Sequence, residues 1–237
     1  MSANPHRATK IIDLGLIDYA KAWDYQTTLF NSVLEIKKQN RELTDQKQPT
    51  RNYLLFCEHP PVFTLGNSGE EKNLLIEKDA LSKEGATFVK SNRGGDITFH
   101  GPGQLVVYPI IDLENFFTDI HKYMRSLEEA VILTLRQLSL ASGRLHGLTG
   151  VWIDSQKPKT ARKICAMGVK TSRWVTMHGL ALNVNTDLHF FDHIVPCGIS
   201  DKAVTSIEKE IGRKQDMEHV KDLLKNNLMQ VFEMESI

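Results

Sequence analysis

The chain has 237 residues, 29 Lys and Arg against 29 Asp and Glu, and 41% hydrophobic residues. That length supports one large domain with a true core, and the balanced charge leaves no electrostatic footprint for nucleic acid. No apolar run approaches a bilayer-spanning length, Met1 to Arg7 lacks the apolar segment of a secretory signal, and the three cysteines form no CxxC; together these predict a cytoplasmic protein without membrane segment, disulfide framework or zinc knuckle.

Residues 1–8 read as a flexible tail and residues 9–237 as a single domain. Lys10 to Leu14 predicts a short strand. From Tyr19 to about Gln39, apolar Tyr19, Ala22, Trp23, Phe30, Val33 and Leu34 recur at helical spacing behind Asp18 as N-cap. Arg41 to Asn52 is polar, carries Pro49 and reads as a loop. Tyr53 to Cys57 predicts a buried strand, stopped by Pro60-Pro61. Val62 to Leu65 predicts another strand, residues 66–73 a mobile polar loop, and Glu77 to Lys83 a short helix ended by Gly85. Thr87-Phe88-Val89 and Leu105 to Ile111 predict buried strands, with a short strand, Asp96 to Phe99, between two turn signals. The clearest helix runs from Asp119 to about Ala141, its stripe of Ile120, Tyr123, Met124, Leu127, Val131, Leu135 and Leu138 facing the core, with Gly143 ending it. Residues 150–154 predict a strand and Gln156 to Arg162 a basic loop. Lys163 to Val169 and Trp174 to Asn185 predict two strands joined by a turn. Asp187 to His193 holds a helical turn, residues 194–199 a tight turn, and residues 203–211 and 217–233 predict helices. The expected class is α+β: a mixed, mostly antiparallel sheet with helices packed on it.

Chemistry concentrates in two places. The first is Arg93-Gly94-Gly95-Asp96-Ile97-Thr98-Phe99-His100-Gly101-Pro102-Gly103-Gln104, where glycines expose backbone at both ends of a short strand and Arg93 and His100 supply polar groups. Tight turns in a sheet are the ordinary reading of any one of these signals; two bracketing one strand point to a binding site. The second is Cys197, between Pro196 and Gly198. A lone Cys is more often a small buried hydrophobe, as Cys57 reads here, but the Pro-Cys-Gly turn favours an accessible thiol. A thiolate nucleophile needs a nearby cation, and Lys163, Lys170 and His178 are the candidates on the preceding strands. Gly179-Leu180-Ala181-Leu182-Asn183 reads either as the small-residue lining of an acyl channel or as ordinary strand packing. No phosphate loop, GxGxxG or GxSxG elbow is present, and His59, His100, His178 and His193 are too scattered to argue a metal site.

These blocks carry a resemblance. Arg93-Gly94-Gly95 with Thr98-Phe99-His100-Gly101-Pro102-Gly103-Gln104, then Lys163-Ile164 with Ala166, Gly168 and Val169, then His178-Gly179 with Ala181-Leu182-Asn183, and last Pro196-Cys197-Gly198, are similar in kind and order to the motifs of the lipoyl(octanoyl) transferases. The resemblance spans roughly residues 50 to 212. It implies the fold of the biotin and lipoate protein ligases. It also implies transfer of an octanoyl or lipoyl group from acyl carrier protein to a lysine of lipoyl domains, those of 2-oxoacid dehydrogenase complexes and the glycine cleavage H protein, without cofactor or metal. By motif, Cys197 would carry the acyl thioester and Lys163 would lower its pKa and handle protons, with His178 in support. Arg93, Gly94, Gly95, Asp96, Ile97, Thr98, Phe99, His100, Ala166, Met167, Gly168, Gly179, Leu180 and Ala181 would bind substrate. Cys165 departs from the family pattern, which commonly has a small residue there; at two residues from Lys163 on a strand it is expected on the same face, filling space. Asp96, Arg93, Lys157, Lys159, Arg162 and Arg173 are expected to help dock carrier proteins. The alternatives are an ATP-dependent ligase of the same fold and a non-enzymatic acyl-binding module.

Overall fold

A computed structural model describes residues 6–157, 159–195 and 203–237. In chain order the strands are β1 (Ala8–Leu16), β2 (Asn52–Glu58), β3 (Val62–Leu65), β4 (Thr87–Lys90), β5 (Ile97–His100), β6 (Gln104–Ile110), β7 (Ser142–Gly143), β8 (Val151–Ile153), β9 (Arg162–Ser172), β10 (Val175–Asn183), β11 (Ala203–Val204) and β12 (Glu235–Ser236). The α-helices are α1 (Tyr19–Glu42), α2 (Lys78–Lys83), α3 (Ile120–Gln137), α4 (Ile207–Ile211) and α5 (Met217–Phe232). No helix among the described residues is long and apolar enough to cross a membrane.

Nine strands form one sheet in the order β12-β1-β2-β6-β10-β9-β8-β7, with β11 also paired to β9. The pairs through its centre are antiparallel, while β1 runs parallel to β2 and β12, and β11 to β9. Helices cover both faces because successive side chains on the buried central strands point opposite ways. Ala22, Phe30 and Val33 of α1 pack with Leu55, Val106 and Ala181 on one face. Leu127, Val131 and Leu135 of α3 pack with Leu54, Val107, Leu182 and α5's Leu224 and Leu228 on the other. A second, three-stranded sheet, β4-β3-β5, has its own core around Phe63, Ile97 and Phe99.

The capping expectation for α1 holds: Asp18 accepts a hydrogen bond from the Lys21 N–H, as Asp119 does from Lys122 for α3. α3 stops earlier than its apolar stripe suggests. Ser139 adopts the left-handed conformation at φ 61°, and the Leu140 N–H bonds the Leu135 carbonyl, closing the helix before Gly143, which lies in β7. β4, expected buried, is an edge strand of exposed and half-buried residues. The polar loop at residues 66–73 is held to the Arg93–Asp96 loop by three backbone bonds: Gly66 N–H to Asp96 O, Asn67 to Arg93, and Ser68 to Gly95. Of the expected 1–8 tail, residues 1–5 lie outside the described residues, while Arg7 O accepts the Glu235 N–H and Ala8 opens β1. Ala203–Val204, expected helical, is strand, and α4 begins only at Ile207 behind the Ser206 cap.

Pro109 sits in a central strand, against its usual place at edges. The fold accommodates it because β10 pairs with β6 only from Leu180↔Val107 to Asn183↔Gln104. Beyond that point His178, at φ 58°, bulges β10 away from β6.

Candidate active site

A cavity of about 560 Å³ opens between the Arg93–His100 segment and strands β9 and β10. Its floor is set by cross-strand pairs of small residues. Ala166 faces Ala181 across the β9–β10 ladder, and Gly168 faces Gly179 one pleat along. The glycine loop lies directly on this floor. The Gly94 N–H bonds the Val169 carbonyl at 2.9 Å, and a Cβ on Gly168 would meet the Gly94 oxygen at 2.6 Å. Gly179 is tighter still, since a Cβ there would stand 2.1 Å from the Val107 oxygen. These glycines therefore serve backbone-on-backbone packing that builds the cavity.

The residues singled out from sequence are largely brought together. Arg93 to Thr98, His100, Lys163, Ala166, Met167, Gly168, His178, Gly179, Leu180 and Ala181 all line the cavity. Phe99 does not. It turns into the small sheet's core, stacked on Phe190 at 4.5 Å and edge-on to Phe191 at 5.6 Å. The alternation of β5 is the cause: with His100 on the cavity side, its neighbour must point away.

Arg93 is a buried cation held by backbone and hydroxyl groups. Its Nη2 donates to the Thr64 carbonyl at 2.6 Å, its Nε to Thr64 Oγ1 at 3.2 Å, and its Nη1 to the Gly94 carbonyl at 3.0 Å. Two buried histidines lie within reach of that charge. His100 Nδ1 donates to Gln104 Oε1 at 2.7 Å, an assignment forced because Gln104 Nε2 already donates to Asn183 Oδ1 and the Phe99 carbonyl. Burial, His59 and Arg93 push His100 well below the usual histidine range. His178 donates from Nε2 to Asn92 Oδ1 at 2.7 Å, leaving Nδ1 buried without a partner. Burial first, then Arg93 and Lys170, lower it to about 3. Both imidazoles are neutral at physiological pH, so neither supplies a cation to a thiol.

Lys163 is different. It lines the cavity with its ammonium 4.8 Å from the Trp152 ring centroid. It also marks a junction. The β9–β10 ladder ends at Leu182↔Cys165, and β11 takes up β9 with Val204 opposite Lys163. Lys170 approaches the Phe30 ring at 5.8 Å and does not line the cavity.

The expectation that Cys165 shares the face of Lys163 fails. The β8–β9 register shifts between Val151↔Cys165 and Trp152↔Lys163, a bulge that places Ile164 and Cys165 together in the main core. Cys165 is fully buried, and burial pushes its thiol strongly up, as it does for Cys57. Neither is a thiolate at neutral pH. Pro196, Cys197 and Gly198 lie outside the described residues. On the near side of them Ile194 is bridged to Leu74, and the Val195 N–H bonds the Asn73 carbonyl at 2.9 Å. On the far side Val204 lines the cavity beside Lys163.

Three docking expectations also change. Arg162 is committed to Glu210 and Asp154, and Asp96 to the Ile97 N–H and Asn73 side chain, while Arg93 is buried. Several lining residues had weak or no sequence signal. Gln104 and Asn183 sat inside the motifs without an assigned role. Tyr19, Met124 and Leu148 come from α1, α3 and the loop before β8, where only the fold makes them neighbours.

The architecture is that of the biotin and lipoate protein ligase catalytic fold. It superposes on an archaeal bi-partite lipoate protein ligase from Thermoplasma acidophilum with TM-score 0.69 at 18% identity, covering 98% of this chain and 88% of that one. On lipoate-protein ligase A bound with ATP the TM-score is 0.64 at 17% identity, covering 97% and 88%. The family model of the lipoyl protein ligase A/B catalytic domain matches residues 18–229. An octanoyltransferase of Cytophaga hutchinsonii is 58% identical over 99% of this chain and 96% of its own length, and one of Flavobacterium johnsoniae 55% identical over 98% and 100%. The chain belongs to the octanoyltransferase family, a family of acyltransferases.

Proposed function

We propose that this chain moves an octanoyl group from acyl carrier protein to a lysine of lipoyl domains through a thioester on Cys197. The observation that carries this reading is the junction at Lys163. An ammonium lines a cavity of ligand size, in register with Val204, where the chain coming from Cys197 rejoins the sheet.

The Cys197 thiolate attacks the donor thioester carbon, the carrier's sulfur leaves as its thiolate, and the acyl group is held as a new thioester of similar energy, so the exchange proceeds without ATP. A positive Lys163 favours the thiolate. The acceptor amine then attacks the acyl-enzyme, and Lys163 relays its proton to the departing Cys197 sulfur. The octanoyl chain occupies the cavity over Ala166 and Ala181. Its six methylenes are worth on the order of 5 kcal/mol when fully buried.

The test is intact mass after mixing with octanoyl-acyl carrier protein without ATP. Wild type and Cys165→Ser are expected to gain one hydroxylamine-labile octanoyl group, and Cys197→Ser none. An adduct that survives in Cys197→Ser, or one that appears only when ATP is added, would overturn the thioester reading. The second outcome would place the chain functionally with the ligases.

A further inference from the structure

The 3-10 turn Leu188–His193 brings Phe191 to the cavity wall, and it also assembles a second group of side chains. His189 and His193, four residues apart, stand beside Glu84, the C-cap of α2, with one potential ligand atom of each residue within 4.8 Å of the other two. His189 and Glu84 are exposed and His193 is half-buried. The two rings meet edge-on at 5.1 Å.

His193 is held from both sides. Its carbonyl accepts the Leu75 N–H at 2.8 Å, and its ring lies edge-on to Phe63 at 6.4 Å. Its Nε2 is shut away from solvent and has no hydrogen-bond partner. A sequestered polar atom without a partner is rare in a native fold and calls for one. Behind the neighbouring ring, the Asp192 carboxylate stands 3.5 Å from His189 Nδ1. A carboxylate at one nitrogen of an imidazole fixes the tautomer and strengthens the other nitrogen as a ligand.

We propose that Glu84, His189 and His193 form a site for a divalent transition-metal ion of the zinc type, tying the turn in front of Cys197 to the end of α2. Two imidazoles and one carboxylate suit zinc, whereas magnesium and calcium take oxygen donors. Three protein ligands leave one position for water. Tetrahedral bonds of the usual length put ligand atoms about 3.4 Å apart. The side chains must therefore close by roughly 1 Å, a rotamer adjustment open to exposed His189 and Glu84. In sequence His193 reads as scattered when weighed without its neighbour His189, and the third ligand, Glu84, comes from more than a hundred residues away.

The experiment is calorimetric titration of the full, metal-stripped chain with Zn²⁺, together with Co²⁺ absorption. Wild type, His189→Ala and Glu84→Gln are compared, each also with Cys197→Ser so that a thiolate cannot report as the site. One Zn²⁺ per chain is expected in wild type and in Cys197→Ser. Affinity should fall by about tenfold or more in both ligand variants. Zn²⁺ should raise the Tm of wild type and leave that of His189→Ala unchanged. Co²⁺ should give a tetrahedral d–d band that His189→Ala abolishes. Absence of stoichiometric Zn²⁺ binding in wild type, equal affinity in His189→Ala, or binding lost only with Cys197 would overturn the proposal.

Discussion

His178 is a β-strand residue at φ 58°, and its strain is the hinge of the cavity wall. The left-handed turn there frees β10 from Pro109 and lets Gly179 press on Val107. The ring that follows from this placement is buried and neutral. An unfolded His178 takes up a proton near pH ~6.5, while the folded one stays neutral until about 3. Between those values the unfolded state holds the extra proton, so acid favours unfolding. By pH 5 the difference is about 2 kcal/mol for this residue. His59 and His100, lowered chiefly by burial, add in the same direction. Urea unfolding is therefore expected to show stability falling from pH 7.5 to pH 5, and falling about 2 kcal/mol less in His178→Asn, which keeps a side chain that tolerates the left-handed region. An identical drop in that variant would remove His178 as a cause. Gly179→Ala is expected to lose about 3 kcal/mol or more in the same assay, because central-strand backbone cannot yield to a Cβ at 2.1 Å.

At the scale of elements, β9 organises the site. Its first residues pair with β8 on one side and β11 on the other, and the bulge at Ile164 separates Lys163, in the cavity, from Cys165, in the core. β11 is only two residues long and is locked from outside. Glu210 of α4 accepts from Arg162 of β9 and from Thr205 just past β11, and the Thr205 N–H bonds the Lys163 carbonyl at 2.9 Å. Glu210→Ala frees the return of the chain from Cys197 while leaving both cores intact. Under the proposed mechanism, octanoyl transfer should slow by about ten- to hundredfold from misplacement of the nucleophile, with Tm changed little. Wild-type rates in Glu210→Ala would show that this lock does not position Cys197. The long elements were legible because local signals agree with the fold: Asp18 and Asp119 cap, and the α3 stripe is buried on the core. The bulge at Ile164, the left-handed His178 and β11 were not, since each depends on which strand lies alongside. The motifs named most of the lining, yet alternation, which no motif states, sent Phe99 elsewhere.

At the scale of the whole molecule, the cavity exists because two sheets of different size meet over a floor of small residues. The nine-stranded sheet supplies Ala166, Gly168, Gly179 and Ala181, and the small sheet lays Arg93 to Gly95 across them. A larger side chain at a floor position not pressed on backbone takes room from a ligand. Ala166 is the best place to test this, being half-buried and opposite Ala181 rather than jammed against backbone like Gly168 and Gly179. Ala166→Leu adds three carbons to the cavity. At ~0.8 kcal/mol for each methylene displaced, transfer of octanoyl should fall on the order of fiftyfold. A butanoyl donor, which does not reach the filled space, should be transferred nearly as well as by wild type, so the variant inverts chain-length preference. The measurement is the rate of adduct formation by intact mass with octanoyl- and butanoyl-acyl carrier protein in parallel. Equal loss for both donors would mean that Ala166 sits under the carrier or the thioester rather than under the alkyl chain, and would move the acyl tail to the side of the cavity walled by Tyr19, Tyr108 and His178.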